Sequence, residues 1–165
     1  MDQKPDDVVR IVSLNATAPV RLASAVVPRF AKARQGAIVN IGSVVGLAPE
    51  YGSTVYGATK AFILFLSQGL HAELGPRGVY VQAVLPAAVR TEIWAHAGMD
   101  VEKLPAVMEV GELVGAALAG FDRRETVTIP PLPDAGQWTD FEAVRKAMIP
   151  NFNQTHAAER YRNAA

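Results

Sequence analysis

Three residues whose side chains could take part in proton transfer lie close together in the sequence. Lys60 follows Tyr56 by four positions, and Ser43 precedes the tyrosine by thirteen. If Ser53 or Thr54 begins a helix, the tyrosine and the lysine lie one turn apart on the same face. A neighbouring ammonium group and the positive end of the helix dipole favour the phenolate and lower the pKa of a tyrosine from about 10. The spacing therefore predicts a tyrosine that exchanges a proton near neutral pH.

The same spacing also occurs on ordinary surface helices, where the two residues form an amphipathic pair without a catalytic role. The flanking elements therefore decide between a proton-transferring tyrosine and such a surface pair. The apolar stretch 36–42 contains β-branched residues and predicts a buried parallel strand. Ser43 would follow that strand at its carboxyl end, where α/β proteins bind ligands. The apolar run 61–74, closed by the turn 75–78, predicts a long helix, and 79–85 predicts a second strand.

The order of these elements and residues resembles the short-chain dehydrogenase/reductase family. The resemblance covers about residues 5–120, the later half of the family fold, and includes the turn from Pro86 to Thr91, which is similar to the family's Pro-Gly-x-Val-x-Thr turn. Four residues stand in the order of the family's catalytic residues: Asn15, Ser43, Tyr56 and Lys60.

The resemblance implies an oxidoreductase that reduces a carbonyl group or oxidises an alcohol with NAD(H) or NADP(H). Tyr56 would exchange a proton with the substrate oxygen, Ser43 would hydrogen-bond that oxygen, and Lys60 would keep the pKa of the tyrosine low. Asn15 would hold a water molecule linked to the lysine. For Asn15 the alternative is a tolerated polar residue on an exposed helix face.

By the same resemblance, the nicotinamide half of the cofactor would contact five residues: Tyr56, Lys60, Pro86, Val89 and Thr91. Ala87 stands where the family has glycine, and we expect its Cβ to crowd the nicotinamide. The following segment, 92–105, resembles the variable segment that covers the substrate. Trp94 would be part of an apolar lid there, or alternatively part of the core.

The glycine-rich half of the family's cofactor site has no counterpart in this sequence. The thirteen glycines include no pair separated by a single residue, whereas the pyrophosphate site of the family needs a glycine-rich turn before a helix. We therefore expect an α/β, partial Rossmann-like fold, a doubly wound parallel sheet of about three strands with flanking helices. Residues 1–165 are interpreted as a single truncated domain in which 134–165 is a C-terminal helical extension.

The later part of the chain predicts further elements. Residues 111–121 predict a helix, and 125–129 alternate like a strand before two prolines. Residues 134–149 predict a helix with one apolar stripe, which packs against its own domain or a partner subunit. The stripe comprises Trp138, Phe141, Val144 and Met148.

The first strand of such a sheet would have a neighbour on one side only. An apolar strand at an edge exposes unpaired backbone groups, so we expect self-association or marginal stability, with a homodimer or higher homo-oligomer as the partner state. Phe62, Phe65 and Leu66 would suit a contact between helices of two subunits. Packing against the chain's own sheet is the alternative for each of them.

Composition excludes several other functions. Sixteen basic and sixteen acidic residues cancel, so no global field attracts nucleic acid or an anionic membrane. The chain has no cysteine, and its three histidines lack the spacing of a metal site. The polar start is unlike a signal peptide and no uninterrupted apolar run has membrane-spanning length. We expect a cytoplasmic protein without a metal, and the resemblance implies a small carbonyl or alcohol substrate.

Two other interpretations remain open at this stage. The chain could be an inactive fragment of the family, or a binding module that oligomerises through its helices. Cofactor binding distinguishes the enzyme from both.

Overall fold

The computed structural model describes residues 4–162. These form two compact units, with the boundary between Pro131 and Leu132. The helical extension expected from residue 134 falls in the second unit, and its last residues, 163–165, lie outside the described part. Each unit is built from its own elements.

A three-stranded parallel sheet forms the centre of the first unit. The strands are β1 (Gly36–Ile41), β2 (Val79–Val84) and β3 (Val127–Thr128), in the order β1-β2-β3. β1 and β2 pair in register along their whole length, from Gly36 opposite Val79 to Ile41 opposite Val84. Every residue of β2 is buried, as expected for a mostly apolar strand in a parallel sheet, and this includes Gln82, whose side-chain amide donates to the Thr128 hydroxyl at 2.9 Å. The α/β class and the three strands are as predicted.

Helices flank this sheet in the first unit. Their bounds are α1 (Pro5–Val12), α2 (Ala18–Ala33), α3 (Thr54–Leu74), α4 (Ile93–His96) and α5 (Val110–Asp122). Short 3₁₀ turns lie at Val44–Gly46, Pro49–Tyr51, Gly75–Arg77 and Val101–Lys103. The end of α3 packs with β2 in a core that contains Leu74, Val79 and Val81.

A π-helical turn, Ser13–Thr17, joins α1 to α2 without a break. The Ala18 N–H donates to the Ser13 carbonyl, five residues earlier. Pro19 explains this turn, because a proline ring in an α-helix collides with the carbonyl four residues before it, here that of Asn15. The ring of Pro19 is therefore accommodated by a widened turn around Asn15.

The run Pro5–Ala33 is one helix that could cross a membrane by length and composition. The expectation of no such run considered uninterrupted apolar stretches, whereas this helix includes charged residues such as Arg10 and Arg21. Core helices of soluble proteins and signal sequences meet the same criteria, and 6% of the apolar window of this helix is buried.

β1 is an edge strand of the described sheet, with β2 as its neighbour on one side. Val39 and Ile41 on this strand are exposed. Phe62 and Phe65 of α3 are exposed as well, and Phe65 retains 77% of its accessible surface. Packing of the Phe65 ring against the chain's own sheet, the alternative considered above, is therefore wrong, whereas Phe62 is 40% exposed and Leu66 is half-buried.

The second unit is helical. It contains α6 (Ala135–Ala147), a 3₁₀ turn (Ile149–Phe152) and α7 (Glu159–Arg162). The Asp134 carboxylate caps α6 by accepting the Gly136 N–H at 2.8 Å. On α6 the Trp138 and Phe141 rings stack with centroids 5.3 Å apart, which places part of the predicted stripe on one helix face.

Candidate active site

α3 places Tyr56 and Lys60 on adjacent turns, as the spacing predicted. Ser53 is the N-cap position of this helix, so both side chains lie in its first turns. The Lys60 Nζ atom lies 5.5 Å from the centroid of the Tyr56 ring. It also donates a hydrogen bond to the Ile41 carbonyl at 3.2 Å. Because Ile41 is the last residue of β1, this bond ties the helix to the carboxyl end of the sheet.

Ser43 lies at that same end of the sheet. Gly42 separates it from β1 and donates to the Val84 carbonyl at 2.7 Å, which continues the pairing with β2. The Ser43 side chain accepts the Val45 N–H at 3.2 Å and donates to the Pro86 carbonyl at 3.4 Å. Ser43 is only 5% exposed, so its hydroxyl has a fixed position next to the ends of two strands.

Asn15 is held against α3 by a chain of two hydrogen bonds. Its Nδ2 donates to the Thr59 Oγ1 at 3.1 Å, and the Thr59 hydroxyl donates to the Tyr56 carbonyl at 2.7 Å. Asn15 is half-buried, so the alternative of a residue on an exposed face is wrong. Thr59 is buried and was missed by the sequence reasoning, although it lies within the Tyr56–Lys60 segment. Only its contact with another helix reveals its role.

Burial controls the protonation of the two residues on α3. It raises the pKa of Tyr56 above its ordinary value, and the hydrogen bond with Ser43 lowers it by a smaller amount. Burial also lowers the pKa of Lys60. The expectation of a lowered tyrosine pKa is therefore wrong for this structure, because loss of solvation outweighs the hydrogen bond. Tyr56 therefore keeps its proton at neutral pH.

The segment after β2 holds the remaining residues of the predicted cofactor surface. Pro86 is buried, and its carbonyl accepts the Val44 N–H at 3.0 Å. The Val89 carbonyl accepts the Trp94 indole N–H at 2.7 Å, and the Val89 N–H donates no hydrogen bond within residues 4–162. The exposed Thr91 hydroxyl makes no hydrogen bond within residues 4–162.

The structure thus brings Ser43, Tyr56, Lys60 and Pro86 to one edge of the sheet and connects Asn15 to it through Thr59. Val89 and Thr91 lie on the segment that leaves this edge, without a hydrogen bond to the tyrosine or the lysine among the described residues. Ala87 is exposed.

A cleft of about 360 Å³ lies between the turn after Ser43 and the first turns of α3. Its walls include Val45, Gly46 and Gly57, but not Tyr56 or Lys60. It is therefore separate from the polar cluster, which comprises Ser43, Tyr56, Lys60 and Pro86. In the described part of the chain, no group of three histidine or acidic residues could hold a metal ion.

Comparison with known proteins relates this arrangement to a family. Residues 1–102 match the family of short chain dehydrogenases. Very-long-chain 3-oxoacyl-CoA reductase of Bos taurus is 40% identical over 84 residues, which are 51% of this chain and 27% of the relative. A 2,5-dichloro-2,5-cyclohexadiene-1,4-diol dehydrogenase of Sphingobium indicum is 30% identical over 138 residues, 79% of this chain and 55% of the relative.

Two solved structures are more similar. A short-chain dehydrogenase from Sphingobium yanoikuyae in complex with NADPH is 61% identical, with a TM-score of 0.93 over 96% of this chain and 62% of that chain. A bulky-bulky ketone specific alcohol dehydrogenase from Comamonas testosteroni is 58% identical, with a TM-score of 0.87 over 97% of this chain and 60% of that chain. This chain spans less than two thirds of the length of each of these four relatives. On the family match over residues 1–102, the chain belongs to the short-chain dehydrogenase/reductase family of oxidoreductases.

Proposed function

We propose that this chain carries the proton-transfer face of a nicotinamide-dependent ketone reductase, with Tyr56 as the proton donor and acceptor. The observation that carries the proposal is the convergence of Ser43, Tyr56 and Lys60 at the carboxyl end of β1. Ser43 is buried beside that strand end, Lys60 donates to the Ile41 carbonyl there at 3.2 Å, and its ammonium group lies 5.5 Å from the centroid of the Tyr56 ring. A buried serine, a protonated tyrosine and a lysine are the groups that a carbonyl reduction needs around the substrate oxygen.

The cofactor and the substrate class are taken from the two most similar structures described above. The 61% identical dehydrogenase is in complex with NADPH, so we propose NADPH as the first cofactor to test, with NADH beside it. The 58% identical relative is specific for bulky-bulky ketones. We therefore propose a ketone with two large substituents as the substrate class.

The residues present fit the nicotinamide half of the cofactor. Lys60 uses one hydrogen-bond direction on the Ile41 carbonyl, and an ammonium group has two more for ribose hydroxyls. The Val89 amide and the Thr91 hydroxyl are available for a carboxamide. Ala87, whose Cβ we expect to crowd the nicotinamide, is exposed. The crowding would therefore come from a single methyl group at the surface. The sequence has no G-x-G motif for a pyrophosphate, so the residues present fit only the nicotinamide half of the cofactor.

The chain's own groups would act as follows. Tyr56 gives its proton to the carbonyl oxygen, and Ser43 hydrogen-bonds the same oxygen as negative charge develops on it. Lys60 stabilises the phenolate that remains, and Thr59 with Asn15 fixes the helix turn between the two residues. Hydride for the carbonyl carbon would come from the bound nicotinamide. Alcohol oxidation uses the same groups in reverse.

Titration of the 165-residue protein with NADPH and NADH, followed by nucleotide fluorescence, tests this proposal. We expect saturable binding that Lys60→Met weakens roughly tenfold, which corresponds to about 1.4 kcal/mol, since the ribose loses a charged donor. Lys32→Met, at an exposed lysine of α2, is the matched control and should bind like the wild type. Absence of saturation up to about 1 mM for both nucleotides would overturn the proposal for this chain.

We also propose that the chain self-associates through α3. Phe62 and Phe65 lie three residues apart on one helix face and are both exposed, and burying such rings is favourable. Sedimentation velocity should show a dimer or larger species that the double substitution Phe62→Ser, Phe65→Ser converts to monomer. Phe152→Ser, at an exposed ring of the second unit, should leave the sedimentation coefficient unchanged. A wild-type monomer at about 0.1 mM would rule this association out.

A further inference from the structure

The segment 91–107 is a loop closed at its base by the backbone. The Arg90 N–H donates to the Met108 carbonyl at 2.9 Å, and the Met108 N–H donates to the Ala88 carbonyl at 2.9 Å. These two bonds form a short parallel bridge between Val89 and Met108. Both ends of the loop are thereby fixed beside the strand end that carries the polar cluster.

The first half of the loop has its own anchor. The Trp94 indole donates to the Val89 carbonyl at 2.7 Å, and the Met99 N–H donates to the Trp94 carbonyl at 2.8 Å. Trp94 is half-buried, so it is a tether between the loop and its base rather than a freely exposed lid residue.

The second half depends on Arg90. Its Nε donates to a Glu109 carboxylate oxygen at 2.8 Å, and its Nη1 forms an ion pair with Glu102. Glu102 lies in the 3₁₀ turn Val101–Lys103, where the Asp100 side chain accepts its N–H at 3.1 Å. One guanidinium group therefore joins the middle of the loop to the residue that precedes α5. The planar fork of arginine suits such a double contact, whereas lysine offers a single point charge.

We propose that Arg90 is a positioning residue that holds the segment 91–107 against the carboxyl ends of β1 and β2, which Ser43 and Pro86 follow, through its contact with Glu102, which we call the clasp. The role of this loop in covering a substrate rests on the function proposed above. The Arg90 side chain is 39% exposed, and those of Glu102 and Glu109 are 71% and 65% exposed. Solvent screens such pairs, so each is weak. Weak ion pairs of this kind hold the loop in place and still allow it to open.

Limited trypsin digestion measures the clasp directly, because Lys103 is a cleavage site within the loop. We expect Arg90→Met to increase the rate of cleavage between Lys103 and Leu104 about two- to fivefold, from the usual size of exposed ion pairs. Glu102→Gln should have the same effect, and the double variant should add nothing further. Rates are divided by those of matching synthetic peptides, since Glu102 adjoins the cleaved residue.

Two comparisons separate this effect from general loosening. Arg77→Met, at an exposed arginine without an ion pair among residues 4–162, should cleave at the wild-type rate. Cleavage after Lys32 should be equal in all variants, because it reports unfolding of the helix. Wild-type cleavage after Lys103 in Arg90→Met, or additive effects of Arg90→Met and Glu102→Gln, would overturn the clasp.

The consequence for substrate is read from kinetics with NADPH and a diaryl ketone. Arg90→Met should raise the KM for the ketone several-fold with less than a twofold change in kcat, and Arg90→Lys should recover part of the KM. If trypsin cleaves Arg90→Met faster but its KM for the ketone is unchanged, the proposed role of segment 91–107 in covering the substrate is wrong. Absence of turnover in the wild type would count against the proposed function alone, and the digestion would still decide the clasp.

Discussion

Replacing Tyr56 by phenylalanine should reduce ketone turnover by about two to four orders of magnitude, the usual contribution of a positioned proton donor. The substitution removes the phenolic hydroxyl and keeps the ring, so the contact of Lys60 with the ring face at 5.5 Å remains. The fold should remain intact, because the hydrogen bonds of this turn use the Tyr56 backbone carbonyl and the Thr59 side chain. NADPH consumption with a diaryl ketone is the measurement.

Tyr51→Phe is the matched control for this substitution. Tyr51 is an exposed tyrosine in the turn before α3 and takes no part in the polar cluster, so its loss should leave turnover unchanged. Turnover of Tyr56→Phe within about threefold of the wild type, less than 1 kcal/mol of transition-state free energy, would show that the proton comes from another group.

The Tyr56→Phe substitution also identifies the ionisation of the Tyr56 hydroxyl by absorbance, without any substrate. Burial raises the pKa of Tyr56, so the tyrosinate absorbance lost in Tyr56→Phe should belong to a group that ionises above pH about 10. Ser43→Ala should move this ionisation further upward, since the serine hydrogen bond lowers the pKa. Ionisation below pH 10 would mean that Lys60 outweighs burial.

The sign of the linked stability change follows from proton binding. Above pH about 10 the unfolded chain releases a proton that folded Tyr56 retains, so this residue lowers the stability as the pH rises. Lys60 acts in the opposite direction, because its pKa is lowered in the folded chain and the unfolded chain binds the proton more tightly. Ketone reduction needs protonated Tyr56 and should therefore fall only in the alkaline range.

Replacing Gly46 by alanine should lower the free energy of unfolding by about 1–3 kcal/mol, the range for overpacked sites. A Cβ on Gly46 would lie 2.7 Å from the Lys60 carbonyl carbon and 2.7 Å from the Ala61 nitrogen. Both are backbone atoms of α3, so rotation of a side chain cannot relieve the contact. The turn that follows Ser43 must then move away from the helix that carries Tyr56, and turnover should fall with stability.

Gly69→Ala is the matched control for this prediction. Gly69 also belongs to α3, and a Cβ there would have nothing within 4 Å. Alanine in a helix interior is favoured over glycine by up to about 1 kcal/mol, so this variant should be as stable as the wild type or more so. Urea unfolding followed by circular dichroism compares the three proteins. An unchanged midpoint for Gly46→Ala would show that the turn and the helix are not in close contact in solution.

The sequence alone determined the elements and the order of the polar residues. Tyr56 and Lys60 share a helix face because helical periodicity depends only on local spacing. The runs 36–42 and 79–85 predicted strands because continuous apolar β-branched segments suit a buried parallel sheet. Ser43 could then be placed at a strand end. These inferences use neighbours along the chain, and the structure agrees with them within one or two residues.

Only the tertiary structure decided what depends on contacts between distant segments. The strand predicted at 125–129 pairs with β2 only at Val127–Thr128, because pairing depends on contacts between the two strands rather than on local alternation. Asn15 is fixed by Thr59, forty-four residues later, and no local pattern indicates that contact. Burial reversed the expected direction of the Tyr56 pKa, because solvation depends on the whole surrounding structure. The double contact of Arg90 is likewise invisible in sequence, as its carboxylates lie twelve and nineteen residues away.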